Sequence, residues 1–220
     1  MNRVHIARAR SIWLFDMREL NPRGKNISLE LIHWLRDEYK FIKVPQSPSD
    51  INPETKSLDF VDGSFTTDDG RSVFVALSIY NDGVIADTRS STRDTDAFLE
   101  DSIQGLSRAF DLEYLPEIIR TKAHISEINF HTENQLDVIN PKLRSFAEQL
   151  TAALGGKPEY RVNGVTLAID PLANVTKPGP FTFERKINTG FSGNLYFSQA
   201  PLDTEEHLRL LAEFERLLLS

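Results

Sequence analysis

The sequence predicts an α+β fold with largely antiparallel sheet, built from hairpins and about four helices. Three observations predict it. Short runs rich in β-branched and aromatic residues outnumber the segments with helical spacing. Asp-Gly and Asn-Gly pairs sit between many of those runs, where tight turns need positive φ. Hairpins outnumber strand–helix–strand units.

Val4 to Phe15 reads as the first strand, and Asn21-Pro22 with Gly24 marks the loop after it. Ser28 offers a hydroxyl to the first turn of an amphipathic helix over 28–40, with Leu31 and Leu35 at helical spacing. Phe41 to Val44 reads as a short strand stopped by Pro45. The Pro-, Ser- and Asn-rich stretch 45–56 reads as an exposed loop or flap. Leu58–Phe65, Ser72–Tyr80 and Val84–Ala86 form a three-stranded meander, joined at Asp68-Asp69-Gly70 and Asn81-Asp82-Gly83. Asp94 or Thr95 caps a helix over about 96–110, with Phe98, Leu99, Ile103, Leu106 and Phe110 on one face.

Pro116 opens a long β-type segment through Phe130. Asn140-Pro141 starts a further helix with Leu143, Phe146, Ala147 and Leu150 inward, ended by Gly155-Gly156. Tyr160–Val162 and Val165–Ile169 form a hairpin about Asn163-Gly164. Phe181–Ile187 and Leu195–Phe197 form another about a Gly-rich loop. Asp203 or Thr204 then caps a terminal helix to Leu219. The order of helix followed by sheet recurs loosely, without a repeat at the level of residues. Residues 1–220 read as one compact unit or as two subdomains sharing a core, 1–133 and 134–220, divided near the polar stretch after His131.

An apolar fraction of 40% and a charged fraction of 26% exclude a mainly disordered, collagen-like or membrane-embedded chain. The absence of cysteine excludes disulfides, thiolate metal sites and a cysteine nucleophile. A net charge of −7 disfavours a nucleic-acid partner, which a basic field would gather. No apolar run has the length of a signal core or a membrane span, so the expected address is cytoplasmic, with no membrane partner.

No nucleophile elbow, phosphate loop, dinucleotide fingerprint or His-Glu-x-x-His motif is present. The weaker constellations fall into three groups. Asp59 and Asp87 lie near strand ends in the acidic meander, while Glu127 and His131 share a strand face with Asn129. Carboxylates and an imidazole are the residue types of a phosphoester hydrolase assisted by Mg²⁺ or Mn²⁺. The plainer reading is turn chemistry and a solvated strand face.

Arg23 and Lys25 in a strand-to-helix loop, with Arg89 and Arg93 in a hydroxyl-rich segment, have the chemistry to grip a small anion or nucleotide. Phe181, Phe183 and Tyr196 in the late strands, with Leu211, Phe214 and Leu218 in the terminal helix, can present an apolar interface. That helix carries a wider apolar arc than one buried stripe needs.

With reactive signatures missing and apolar surplus present, the favoured reading is a non-catalytic assembly or binding module. It acts through protein–protein contacts, including self-association, and its sequence requires no cofactor. The hydrolase and the anion sensor are the alternatives.

Overall fold

Strand β1 (Asn2–Leu14) opens the chain in a computed structural model that describes residues 1–24, 28–50, 52, 56–133, 135–170, 172 and 178–219. The chain divides into two units. The N-terminal unit holds Arg8–Ser126 and Leu202–Thr204; the C-terminal unit holds Met1–Ala7, Glu127–Pro201 and Glu205–Ser220. The division falls within β1 and within β5 (Thr121–His131). Residues 1–7 belong with the C-terminal unit for a visible reason. The Met1 ammonium pairs with Glu215, and His131 Nδ1–H donates to Asn2 Oδ1 at 2.9 Å.

In the N-terminal unit the meander forms as the alternation dictates. Strands β2 (Leu58–Thr66), β3 (Ser72–Tyr80) and β4 (Gly83–Thr88) pair antiparallel, and the strand order is β2-β3-β4-β1-β5. Gly83 turns the chain at φ +154°, where a Cβ would lie 2.2 Å from the Trp13 carbonyl oxygen. After the short helix α1 (Met17–Leu20), helix α2 (Ser28–Tyr39) buries Ile32, Leu35 and Tyr39, spaced for one helical face. Helix α3 (Thr92–Phe110) buries Phe98, Leu99, Ile103 and Leu106 in the same core.

Tyr39 and Phe98 meet edge to face at 4.9 Å, an arrangement that aromatic quadrupoles favour. Helix α3 begins earlier than its sequence pattern indicates. Ser91, not Asp94 or Thr95, is the cap, and its Oγ accepts the Asp94 amide at 3.1 Å. Segment 41–44 makes only the bridge Lys43 to Val61, because Phe41 is drawn into the core. A 3₁₀ turn at Pro116–Ile118 precedes β5.

The C-terminal unit repeats the same element order. Strand β5 is followed by helix α4 (Pro141–Ala153), strands β6 (Gly164–Leu167), β7 (Phe181–Arg185) and β8 (Leu195–Ala200), then helix α5 (Thr204–Leu219). Its strand order outward from β5 is β8-β7-β6, matching β4-β3-β2 outward from β1. Ile128, Phe130, Leu136, Phe183, Tyr196 and Leu211 form its core. The Asn163-Gly164 hairpin does not form. Gly164 instead starts β6, which pairs with β7, and a Cβ there would meet the Phe183 oxygen at 2.7 Å.

Helix α4 is capped by Asn140, whose Oδ1 accepts the amides of Lys142 (3.1 Å) and Leu143 (3.2 Å). Contrary to its sequence pattern, none of its residues is buried. No helix among the described residues is long and apolar enough to cross a membrane.

Candidate functional site

The candidate hydrolase residues are occupied by structural bonds. Asp59 lies in the N-terminal unit and accepts from Asn52 (2.8 Å), Ser57 (2.7 Å) and Ser78 (2.7 Å). Burial raises its pKa, yet the bonds from Ser57, Asn52 and Ser78 outweigh burial and hold the carboxyl below its ordinary range. Asp87 is held by a two-pronged bond from Arg10, both contacts at 2.7 Å. Glu127 and His131 belong to the C-terminal unit, on the half-buried outer row of β5 with Asn129, while Ser126, Ile128 and Phe130 point inward. The row is thus the outer face of an antiparallel strand. Among the described residues, no group of three or more His, Asp or Glu is placed to hold a metal ion.

Of the candidate anion ligands, Arg23 is paired with Asp111 at 3.0 Å and Glu113 at 3.7 Å, so its charge is already met. Lys25 lies outside the described residues. Arg89 and Arg93 are exposed beside the cap of α3. The apolar candidates are mostly interior. Phe183, Tyr196, Leu211 and Leu218 are buried, with Phe181 and Phe214 packed half-buried against them. They are core residues of the C-terminal unit rather than an open face, because α5 lies against the strands that carry them. Of the broad arc of α5, Leu211 and Leu218 are buried, Leu208, Leu210 and Phe214 are half-buried, and Leu217 is 68% exposed.

Two histidine pairs escaped sequence reasoning because strand and helix placement, not a local pattern, brings their partners together. His124 Nε2–H donates to Asp96 Oδ2 at 2.8 Å, and Trp13 Nε1–H donates to Asp96 Oδ1 at 3.0 Å. The bond to Asp96 raises the His124 pKa against a lowering by burial. Burial pushes the Asp96 pKa up, but bonds from His124, Ser11 and Trp13 bring it below its ordinary value. The second pair, Ser198 and His207, is fully buried. Ser198 Oγ–H donates to the Thr182 carbonyl at 2.7 Å and accepts from His207 Nε2–H at 2.9 Å. A hydroxyl donating to a backbone carbonyl inside a core is a packing bond, closed to substrate.

One acidic cleft of about 470 Å³ in the N-terminal unit is lined by Glu38, Asp68, Glu100 and Asp101, among others. Its central carboxylates are engaged. Tyr39 donates to Asp101 at 2.7 Å, and Tyr114 donates to Glu100 at 3.0 Å. Burial and then the Asp101 bond push the Tyr39 pKa up, so its hydroxyl stays a donor.

Helix α4 carries an aligned row of exposed apolar side chains. Leu143, Phe146, Leu150 and Leu154 recur at spacings of three, four and four, the geometry of one helical stripe. Leu143 is 50% exposed, Phe146 62% and Leu154 51%. Ala147 and Thr151 are the more covered residues of the helix, and the Tyr160 amide donates to Thr151 Oγ1 at 2.8 Å. The stripe itself was legible as an apolar period; that it faces outward was not. Strand β6, last in the strand order, adds Leu167 at 62% exposure on a strand with one partner.

No family model and no curated protein matches this chain. Among solved structures, the chain is similar to "Methanococcus jannaschii TBP", at 13% identity over 99% of this chain and 98% of that one, with a TM-score of 0.46.

Proposed function

We propose that the chain is a non-catalytic binding or assembly module whose docking surface is the apolar stripe of α4. The observation that carries this reading is the exposure of Leu143, Phe146 and Leu154 on a capped helix that buries none of its own residues. Scattered exposed leucines are ordinary, but an aligned row on one helix is the pattern of a partner-binding face. A 13-residue helix is also marginal in water without tertiary packing, so a partner supplies what its own unit does not. The charged residues beside the stripe, Lys142, Arg144 and Glu148, would act as a polar rim.

The double substitution Leu143→Ser, Phe146→Ser tests the reading in urea unfolding at high dilution. Stability within about 0.5 kcal/mol of the unsubstituted protein is expected for side chains that their own chain leaves half or more exposed. A loss of about 2 kcal/mol or more, as for core truncations, would remove the reading.

A further inference from the structure

Helix α4 differs from the other long helices in the placement of its charges as well as in its exposure. Helix α2 has Glu30 in its first turn and Arg36 in its last; α3 has Asp94 and Arg108; α5 has Glu205 and Glu206, then Arg216. Each set complements its own helix dipole, which is positive at the N-terminus and negative at the C-terminus. Helix α4 has no acid in its first turn and no base in its last. Its first turn instead carries Lys142 and Arg144, with Arg144 partly compensated by Glu148 at 3.2 Å. Cations at this end oppose the helix's own dipole and complement the C-terminal end of a different helix. The described residues give Lys142 no ion pair, and it is exposed.

We infer that the occupant of the stripe is a second copy of this chain, its α4 packed antiparallel on the first. This rests on the docking reading above and names the partner. An antiparallel pair with Leu143 opposite the copy's Leu154 brings Phe146 against the copy's Leu150 and Thr151. All four apolar residues are then used by both copies. The same register sets Lys142 beside the last turn of the copy's helix, where the dipole is negative. The two-fold repeats that contact, so the interface is isologous and closes at a dimer. Its apolar content is that of one helix pair, which places it in the weak class, below roughly 1,200 Å².

Sedimentation equilibrium of the full chain from about 10 µM to about 1 mM covers the range in which such weak interfaces associate. The mass is expected to rise from one copy towards two. Phe146→Glu holds it at one copy throughout. Lys142→Glu shifts half-association several-fold higher in concentration while leaving helix content by circular dichroism undiminished, since an acid suits the first turn of an isolated helix.

A single-copy mass at every concentration overturns the inference, as does a dimer that Phe146→Glu leaves intact. A single-copy mass combined with binding to vesicles of mixed neutral and anionic lipid also overturns it, in favour of a membrane surface. The docking reading fails separately, through loss of unfolding stability in the dilute Leu143→Ser, Phe146→Ser protein.

Discussion

Helices α2 and α4 hold the same place in the element order of the two units, after a long strand and before three antiparallel ones. Both have an apolar stripe at helical spacing. In α2, Ile32 and Leu35 are 1% and 0% exposed, and Trp34 lies so close to α3 that Gly105 is required there. A Cβ on Gly105 would sit 2.5 Å from the Trp34 ring. In α4, the corresponding stripe faces outward. One pattern of hydrophobic spacing thus serves a fold in one unit and, on our account, an encounter in the other. Spacing reports that a face is apolar; the packing of neighbouring elements decides whether that face is already covered.

The largest expected effect separates the two helices directly. Leu35→Ala costs about 2–5 kcal/mol in urea unfolding, through lost transfer energy and the cavity left behind. Leu143→Ala stays within about 0.5 kcal/mol at concentrations where the chain is a single copy. Equal costs would erase the distinction.

Gly105→Ala follows, at about 1–3 kcal/mol, because Trp34 must yield to the added methyl. Its effect is expected in the N-terminal unit alone, read by the fluorescence of Trp13 and Trp34. Asn140→Ala comes next, with about 1 kcal/mol of helix stability lost at the cap of α4. Because α4 buries nothing, this loss is expected as reduced helical circular dichroism with little change in the unfolding midpoint.

The smallest effect is electrostatic and belongs to the N-terminal unit. His124 has a raised pKa in the fold, so its contribution is complete below the ordinary imidazole value of about 6.5 and is lost as pH rises through the raised value. Asp96 has a lowered pKa, so its contribution is present above about 3.9 and is lost as pH falls through the lowered value. The pair therefore stabilises most between those limits, by about 1 kcal/mol for a partly exposed ion pair. Asp96→Asn is expected to flatten that profile, as followed by thermal unfolding across pH.

Much of the fold was legible in the residues. The meander followed from alternation and its Gly-bearing turns, and the helices of both units from apolar period. Two turn signals misled. Asn163-Gly164 looked like a hairpin, but its glycine serves close strand approach to Phe183. Asp94 looked like a cap, but Ser91 stands one turn earlier in the right backbone conformation. The candidate site was half legible. The stripe of α4 was visible as a period, whereas its exposure depends on contacts that no local pattern encodes. The pairs Asp96–His124 and Ser198–His207 join residues whose closeness arises only from strand and helix placement. Conversely, Asp59 and Asp87 looked reactive in the sequence because Ser78 and Arg10, which help to hold them, lie far from them in the chain.

The central claim is that the apolar face of α4 is left uncovered by its own chain and is covered by another copy. Amide hydrogen exchange of α4 and α2, compared between dilute and concentrated protein, tests it most directly. The account predicts fast exchange in α4 when dilute and marked slowing when concentrated, with α2 slow in both. Exchange in α4 as slow as in α2 at the lowest concentration, or unchanged across the range, would contradict it.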